Sequence, residues 1–163
     1  YAILQAINLA TTEILITTPY FIPGESIIDA LIVSALGGVK VQLLVPGISD
    51  SKIVNSAAHS YYDDLLSAGV EIYLYQKGFI HAKTMVADRM VSVVGTANMD
   101  FRSFELNFEV NAIVYDKELA GEMVTAFEND LKDSTKINRK EWQNRPVSTM
   151  LIEKTARLMS PVL

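Results

Sequence analysis

A chain of 163 residues has room for one domain with a proper core and none for a second full domain, and although half of it is apolar no uninterrupted apolar run approaches the roughly 18 residues of a membrane span. The absence of cysteine excludes disulfides and thiolate metal sites, two histidines far apart in sequence leave no histidine-rich metal site, and no residue cluster calls for a cofactor. The net charge of -5 is uneven, with seven basic against fifteen acidic residues in 1–129 and seven against four in 130–163, so the body is a poor match for a polyanion and nucleic acid is not a favoured partner.

Residues 2–10 read as the end of a helix with Ile3, Leu4 and Ile7 on one face. Residues 13–18 form a buried strand halted by Pro19, a loop over 20–24 follows, and a helix runs from Glu25 or Ser26 to Leu36, where Gly37 and Gly38 end it. A second strand over 39–45 is closed by Pro46-Gly47. Ser49 or Asp50 then caps a helix through Ser67 that Gly69 stops, and 70–75 is a third strand. Strands alternating with helices predict a largely parallel sheet covered on both faces. Beyond this the pattern becomes adjacent strands, 81–87 and 90–94, joined by a tight turn at Asp88-Arg89. A further strand over 106–115 alternates Asn107, Glu109 and Asn111 with Leu106, Phe108 and Val110. Asp116 caps a helix to about Leu131, residues 132–146 are polar and turn-rich, and 147–159 is a last amphipathic helix. The expected fold class is α/β: a three-layer α/β/α sandwich with a mixed, largely parallel sheet, a single domain over 1–163 that ends in an amphipathic helix over 146–163.

The stretch with chemical content is His81-Ala-Lys83-Thr-Met-Val-Ala-Asp88, followed after six residues by Gly95-Thr96-Ala-Asn98. In a strand, His81 and Lys83 leave the same face roughly 7 Å apart. A histidine attacks phosphorus or delivers a proton near neutral pH, and a lysine with an amide holds the charged oxygens, so the set suits a phosphoryl group. Taken alone, His81 reads as an ordinary strand histidine, Lys83 as a solvated lysine and Asn98 as a loop residue. Their shared spacing favours the chemical reading.

That spacing resembles the H-x-K-x4-D-x6-G-[ST]-x-N signature of the phospholipase D superfamily. Residues 18–23, 68–73, 95–103 and 106–110 further resemble the second catalytic half of bacterial cardiolipin synthases, over nearly the whole chain. The resemblance implies a phospholipase D-like half that transfers a phosphatidyl group from one phosphatidylglycerol to another through a phosphohistidine, with no metal. Such enzymes carry two copies of the signature after hydrophobic segments, and here there is one copy. With no initiator methionine and Tyr1 inside a helical pattern, a fragment of a longer chain is expected, nearly inactive and soluble alone. Its expected partners are the phospholipid, the N-terminal half of the same enzyme, the bacterial inner membrane and, as a weak homodimer, a second copy.

The resemblance makes His81 the general acid and base, Lys83 and Asn98 the phosphate ligands, and Asp88 the third member of the catalytic signature. For Asp88 the competing reading is a turn carboxylate occupied by backbone N–H groups. Gly95 and Thr96 support the turn, and Asp100, Arg102 and Ser103 form a supporting shell, with an Asp100–Arg102 ion pair as the alternative. Glu109 reads either as part of a solvated polar face or, as the resemblance implies, as the carboxylate that receives the N–H of a catalytic histidine's far nitrogen. The loop Tyr20-Phe21-Ile22-Pro23 is either core filler or the lining of a ligand entrance, and His59 is expected at the surface. Three other functions stay open: transfer of the same intermediate to water, a single-copy nuclease completed by a homodimer, and a half that binds an anionic headgroup without turnover. The basic residues Lys132, Lys136, Arg139, Lys140, Arg145, Lys154 and Arg157 flank a helix with Val147, Leu151 and Leu158 on one side, so the tail either rests on an anionic leaflet or packs on its own sheet.

Overall fold

The computed structural model of the chain describes residues 1–160. Helix α1 (Ala2–Leu9) leads into β1 (Glu13–Thr17), whose Ile14 to Thr17 are all buried and which stops ahead of Pro19. Two residues of β2 (Phe21–Ile22) precede α2 (Glu25–Leu36), β3 (Lys40–Pro46) and α3 (Lys52–Ala68). The α3 cap is Ser51, whose Oγ accepts from Val54 N, rather than Ser49 or Asp50, and Gly69 closes the helix at φ 99°, a left-handed turn that favours glycine. Then follow β4 (Glu71–Tyr75), β5 (Thr84–Ala87), β6 (Val91–Gly95), β7 (Met99–Asp100) and the single turn α4 (Phe101–Glu105). The chain continues through β8 (Asn111–Tyr115) and α5 (Lys117–Lys132), the latter capped by Asp116. It ends in β9 (Ser134–Lys136), α6 (Arg139–Gln143) and α7 (Val147–Arg157). The last three residues of the expected 146–163 helix lie outside the described residues.

Seven strands form one mixed sheet in the order β8-β6-β5-β1-β3-β4-β9. Within this sheet parallel pairing is confined to β1–β3–β4, where helices make the crossovers, and the β5–β6 hairpin, β8 and β9 pair antiparallel. Because strand residues alternate between faces, Ile14, Ile16, Leu43, Ile72 and Met85 pack under α1, α2 and α3, whereas Leu15, Leu44 and Val86 pack under Ala120, Val124 and Phe127 of α5. That is the expected three-layer α/β/α arrangement. Each fully buried valine, leucine, isoleucine, methionine or phenylalanine side chain among these contributes about 1.5–3 kcal/mol.

Three expected elements differ. The strand foreseen over 81–87 starts at Thr84, opposite Thr17. Beyond that point Thr18 N–H donates to Leu44 on the other side and Pro19 has no N–H, so His81 and Ala82 have no strand to pair with. Within 106–115 only residues 111–115 are paired. Leu106, Phe108 and Val110 alternate like a strand but are exposed, and Leu106 and Asn107 donate back to Arg102 O to close α4. The polar 132–146 segment holds β9, which pairs with β4, and α6.

Candidate active site

β1 and β5 run antiparallel, so the carboxyl end of β1 and the amino end of β5 meet at one sheet edge, where the parallel strands β3 and β4 also end. Open sheets bind ligands at this edge. The residues leading into β5 put His81 there, exposed, and Lys83, half-buried. Their side chains do not project in parallel: Lys83 Nζ lies 3.3 and 3.2 Å from the Nδ1 and Nε2 atoms of His81 and donates to His81 O at 3.1 Å. Burial pushes the Lys83 ammonium below the ordinary lysine value, and the charges of Glu109 and Asp100 oppose that shift.

Aromatic rings frame the histidine. Phe79 stacks on it at a centroid distance of 5.7 Å, and Tyr20 meets it edge-on at 6.5 Å. Tyr20 donates its hydroxyl to Asp50 at 2.6 Å, and this bond, with burial and the charges of Asp50 and Asp100, pushes the phenol up to about 12. The Tyr20 loop therefore sits beside the histidine, which favours the site-lining reading for Tyr20, while Phe21, Ile22 and Pro23 are buried filler. Phe79 and Asp50 were not singled out from the sequence. Phe79 precedes His81 by two residues, so an extended chain carries both on one side, and that was the available signal.

The second part of the motif is built by a two-stranded sheet, β2 with β7, in which Phe21 faces Met99 and Ile22 faces Asp100. It ties the Tyr20 loop to the Asn98 loop, and Thr18 reinforces the tie by accepting from Met99 N–H and donating to Tyr20 O. Asn98 Nδ2 donates to Asp100 at 3.0 Å, whereas its buried Oδ1 has no partner among the described residues. Asp100 also accepts from Ser103 N–H at 2.7 Å as the cap of α4, and Ser103 Oγ accepts from Asn98 N–H. The expected shell of Asp100 and Ser103 is thus assembled around Asn98. Arg102 stands apart, exposed and without the alternative Asp100 ion pair among the described residues.

Gly95 is required sterically. A Cβ there would come within 2.7 Å of Asn111 Cα and closer still to Asn111 Oδ1 and Val110 O, so glycine lets β8 approach β6. Thr96 next to it donates to Glu109 and accepts from Val110 N–H at 3.0 Å. Glu109 binds Thr96 and Asn107 and makes no hydrogen bond to His81 among the described residues, and β8 begins only at Asn111.

Asp88 does not join this group. It lies past the far end of β5, three strand steps or about 10 Å long. There its carboxylate accepts five hydrogen bonds, from the N–H and hydroxyl of Thr11, the N–H and hydroxyl of Thr12, and Glu13 N–H, all between 2.7 and 3.0 Å. Partial burial opposes its ionisation, and these bonds outweigh burial and hold the carboxyl well below the usual carboxylate range. His59 is also misplaced by the surface expectation. It packs edge-on against Trp142 at 5.0 Å and approaches Glu153 at 3.5 Å, and burial lowers its basicity against the pull of Glu153.

A histidine and lysine from one loop and an asparagine from another, at the carboxyl edge of an α/β/α sheet, define a phospholipase D-like domain. The family described as "Cardiolipin synthase, PLD-like domain" matches residues 3–131, and the chain belongs to that family. It is 46% identical over 159 residues to the cardiolipin synthase of Clostridium perfringens (strain SM101 / Type A), and 46% identical over 160 residues to the major cardiolipin synthase ClsA of Bacillus subtilis (strain 168). Each match covers 98% of this chain and 33% of the relative, so the chain spans about a third of the length of the curated relatives it matches. Among solved structures, the phospholipase D family member Nuc from Salmonella typhimurium superposes at TM-score 0.74 with 19% identity, covering 84% of this chain and 89% of Nuc. The phosphatidylserine synthase of Haemophilus influenzae superposes at 0.73 with 16% identity, over 99% of this chain and 44% of that one. At these identities the superpositions establish the fold.

Proposed function

We propose that this domain is one catalytic half of a phosphatidyltransferase that joins two phosphatidylglycerol molecules into cardiolipin and releases glycerol. The observation that carries the reading is the state of the motif's two basic side chains. His81 and Lys83 touch each other and no carboxylate among the described residues, which leaves them open to an anion. In the first step a histidine of a companion half attacks phosphorus, His81 gives its proton to the departing glycerol oxygen, the P–O bond breaks and a P–N bond forms. In the second step the hydroxyl of another phosphatidylglycerol passes its proton to His81, its oxygen takes the phosphorus and the P–N bond breaks. Lys83 and the second N–H of Asn98 Nδ2 hold the non-bridging oxygens, while Asp100, Ser103 and Thr96 set the Asn98 loop. Gly95 lets the strands close, and Asp88 staples the fold. Arg102 and Glu109 serve at the rim.

Acid–base catalysis supplies about 10²- to 10⁴-fold and each electrostatic donor about 10²- to 10³-fold, short of what phosphodiester cleavage demands of an enzyme. A second half has to supply the nucleophile. The exposed Leu106, Phe108 and Val110 beside Thr96 and Glu109 offer it an apolar landing. Mass spectrometry of lipids incubated with the full-length enzyme tests the proposal: cardiolipin is the expected product, and the 163-residue chain alone yields almost none. Phosphatidate as the main product would reassign the acceptor to water, and robust turnover by a strictly monomeric isolated chain would remove the need for a companion half.

A further inference from the structure

Among the described residues no helix is long and apolar enough to cross a membrane, and the surface helix α7 is mounted the wrong way round for a globular protein. Its inward side carries Glu153 and Arg157 beside Met150 and Ala156. Glu153, 3% exposed, accepts from Arg145 Nε at 3.0 Å and Nη2 at 2.7 Å, and the same guanidinium binds both carboxylate oxygens of Asp63 on α3 and lies 4.6 Å from the centroid of the Trp142 ring. Arg157 stacks over Tyr61 at 4.2 Å and reaches Asp64 at 3.7 Å, and Tyr61 donates to Ser160 Oγ at 3.1 Å. Turning the helix about its axis would leave the buried carboxylate of Glu153 without its cations, so the network fixes which side looks out.

At 100° per residue, Val147, Leu151, Lys154 and Leu158 share one side of α7, and they are on the outer one. The three apolar residues are 75, 66 and 81% exposed, with Ile152 and Met159 exposed at the border. A helix on a protein body ordinarily buries such a stripe. The helix does pack on its own domain, on α3 rather than on the sheet, and it does so with this stripe outward. Of the seven basic residues in the segment 130–163, Lys136, Arg145 and Arg157 are committed to Glu71, to Asp63 with Glu153, and to Asp64, while Lys132, Arg139, Lys140 and Lys154 make no ion pair among the described residues.

We propose that the outward stripe of α7 docks into the interfacial layer of an anionic lipid leaflet. Charge supports the choice: on a chain of net charge -5 the segment 130–163 is the basic one, the one acid of α7, Glu153, is turned inward, and Lys154 stands within the apolar stripe where a lipid phosphate would meet it. A second copy fits poorly. A stable dimer takes roughly 20–30 residues a side, the stripe offers only a few, and two-fold pairing of this helix would bring two Lys154 ammonium groups together. The choice of an anionic lipid leans on the reading of phosphatidylglycerol as substrate.

The test is flotation of the 163-residue chain with vesicles of phosphatidylglycerol and, separately, of phosphatidylcholine. The wild type is expected to float with the former only, and less so as salt is raised. Leu151→Asp with Leu158→Asp should lower the bound fraction at least about tenfold, with an unchanged melting temperature because both side chains are exposed. Lys154→Glu, which disturbs no packing, should weaken binding as well. No binding by the wild type, or equal binding by the variants, would overturn the proposal. So would ultracentrifugation showing a wild-type dimer that the leucine pair disperses, which would hand the stripe to a second copy. Lipid products of the full-length enzyme keep the two readings apart. Cardiolipin made normally without vesicle binding sinks the docking alone, and vesicle binding without any cardiolipin sinks the catalytic reading alone.

Discussion

The two ends of β5 treat their charged residues in opposite ways. At the Asp88 end a carboxylate accepts five hydrogen bonds from three consecutive residues and joins the start of β1 to the hairpin. At the other end the side chains of His81 and Lys83 have only each other and the His81 carbonyl among the described residues. A half-buried ammonium with no carboxylate partner among the described residues contrasts with a carboxylate that has five donors, which supports the proposal that the Asp88 end is structural and the His81 end meets an anion. One sequence signature therefore spans two jobs held apart by a strand's length, and substitutions at its two ends should fail differently.

The largest expected effect is at the open end. In the full-length enzyme His81→Asn should lower turnover about 10²- to 10⁴-fold, with the melting temperature of wild type, since the imidazole is exposed. Turnover within a few fold of wild type would remove His81 from the chemistry and with it the contrast between the ends.

The closed end should show the reverse. Asp88→Asn places amide hydrogens against Thr11 and Thr12, and urea unfolding should show a loss of about 1–3 kcal/mol, toward the low end because water reaches the site, with turnover near wild type. Its pH dependence has a definite sign. The folded carboxyl titrates below the ordinary value of about 3.9, so its stabilisation is complete above pH ~4 and is lost as pH falls through the lower folded value. The gap in urea midpoint between wild type and Asp88→Asn should be constant from neutral pH down to about 5 and narrow below about 4. A gap that instead widens in acid would mean that the five hydrogen bonds do not favour the ionised form.

How much of this was legible follows from where each signal lives. The spacing of His81, Lys83, Gly95 and Asn98 is a property of the sequence and was visible as such. The long helices and β1, β3 and β4 announced themselves by apolar runs and by Gly37, Gly69 and Asp116. β2, β7 and β9 are two or three residues long, too short for a period, and exist through partners distant in sequence. Leu106, Phe108 and Val110 imitate a strand because their alternation has another cause: apolar residues here face outward. The direction in which α7 faces depends on Glu153 and Arg145 meeting Asp63 and His59, which no local pattern encodes.

The smallest expected effect tests the turn that makes the closed end possible. Asp88 and Arg89 both have φ 51°, a left-handed conformation that costs a residue with a Cβ roughly 1–2 kcal/mol, and Met90 N–H closes the turn on Ala87 O at 3.0 Å. Asp88 is held there by its five bonds. Among the described residues Arg89 has only ion pairs with Glu13 at 2.7 Å and Glu128 at 3.4 Å, on an exposed side chain where such pairs are worth about 0–1 kcal/mol. Arg89→Gly relieves the strain but loses those pairs and adds roughly 0.4–1 kcal/mol of unfolded-state freedom, so its net change should stay within about 1 kcal/mol of wild type. Arg89→Ala loses the same pairs and keeps the strain, so it should be less stable than the glycine variant. Alanine is the better residue wherever φ is negative, which makes this order diagnostic: an alanine variant as stable as the glycine one in urea would mean that position 89 is not left-handed in solution.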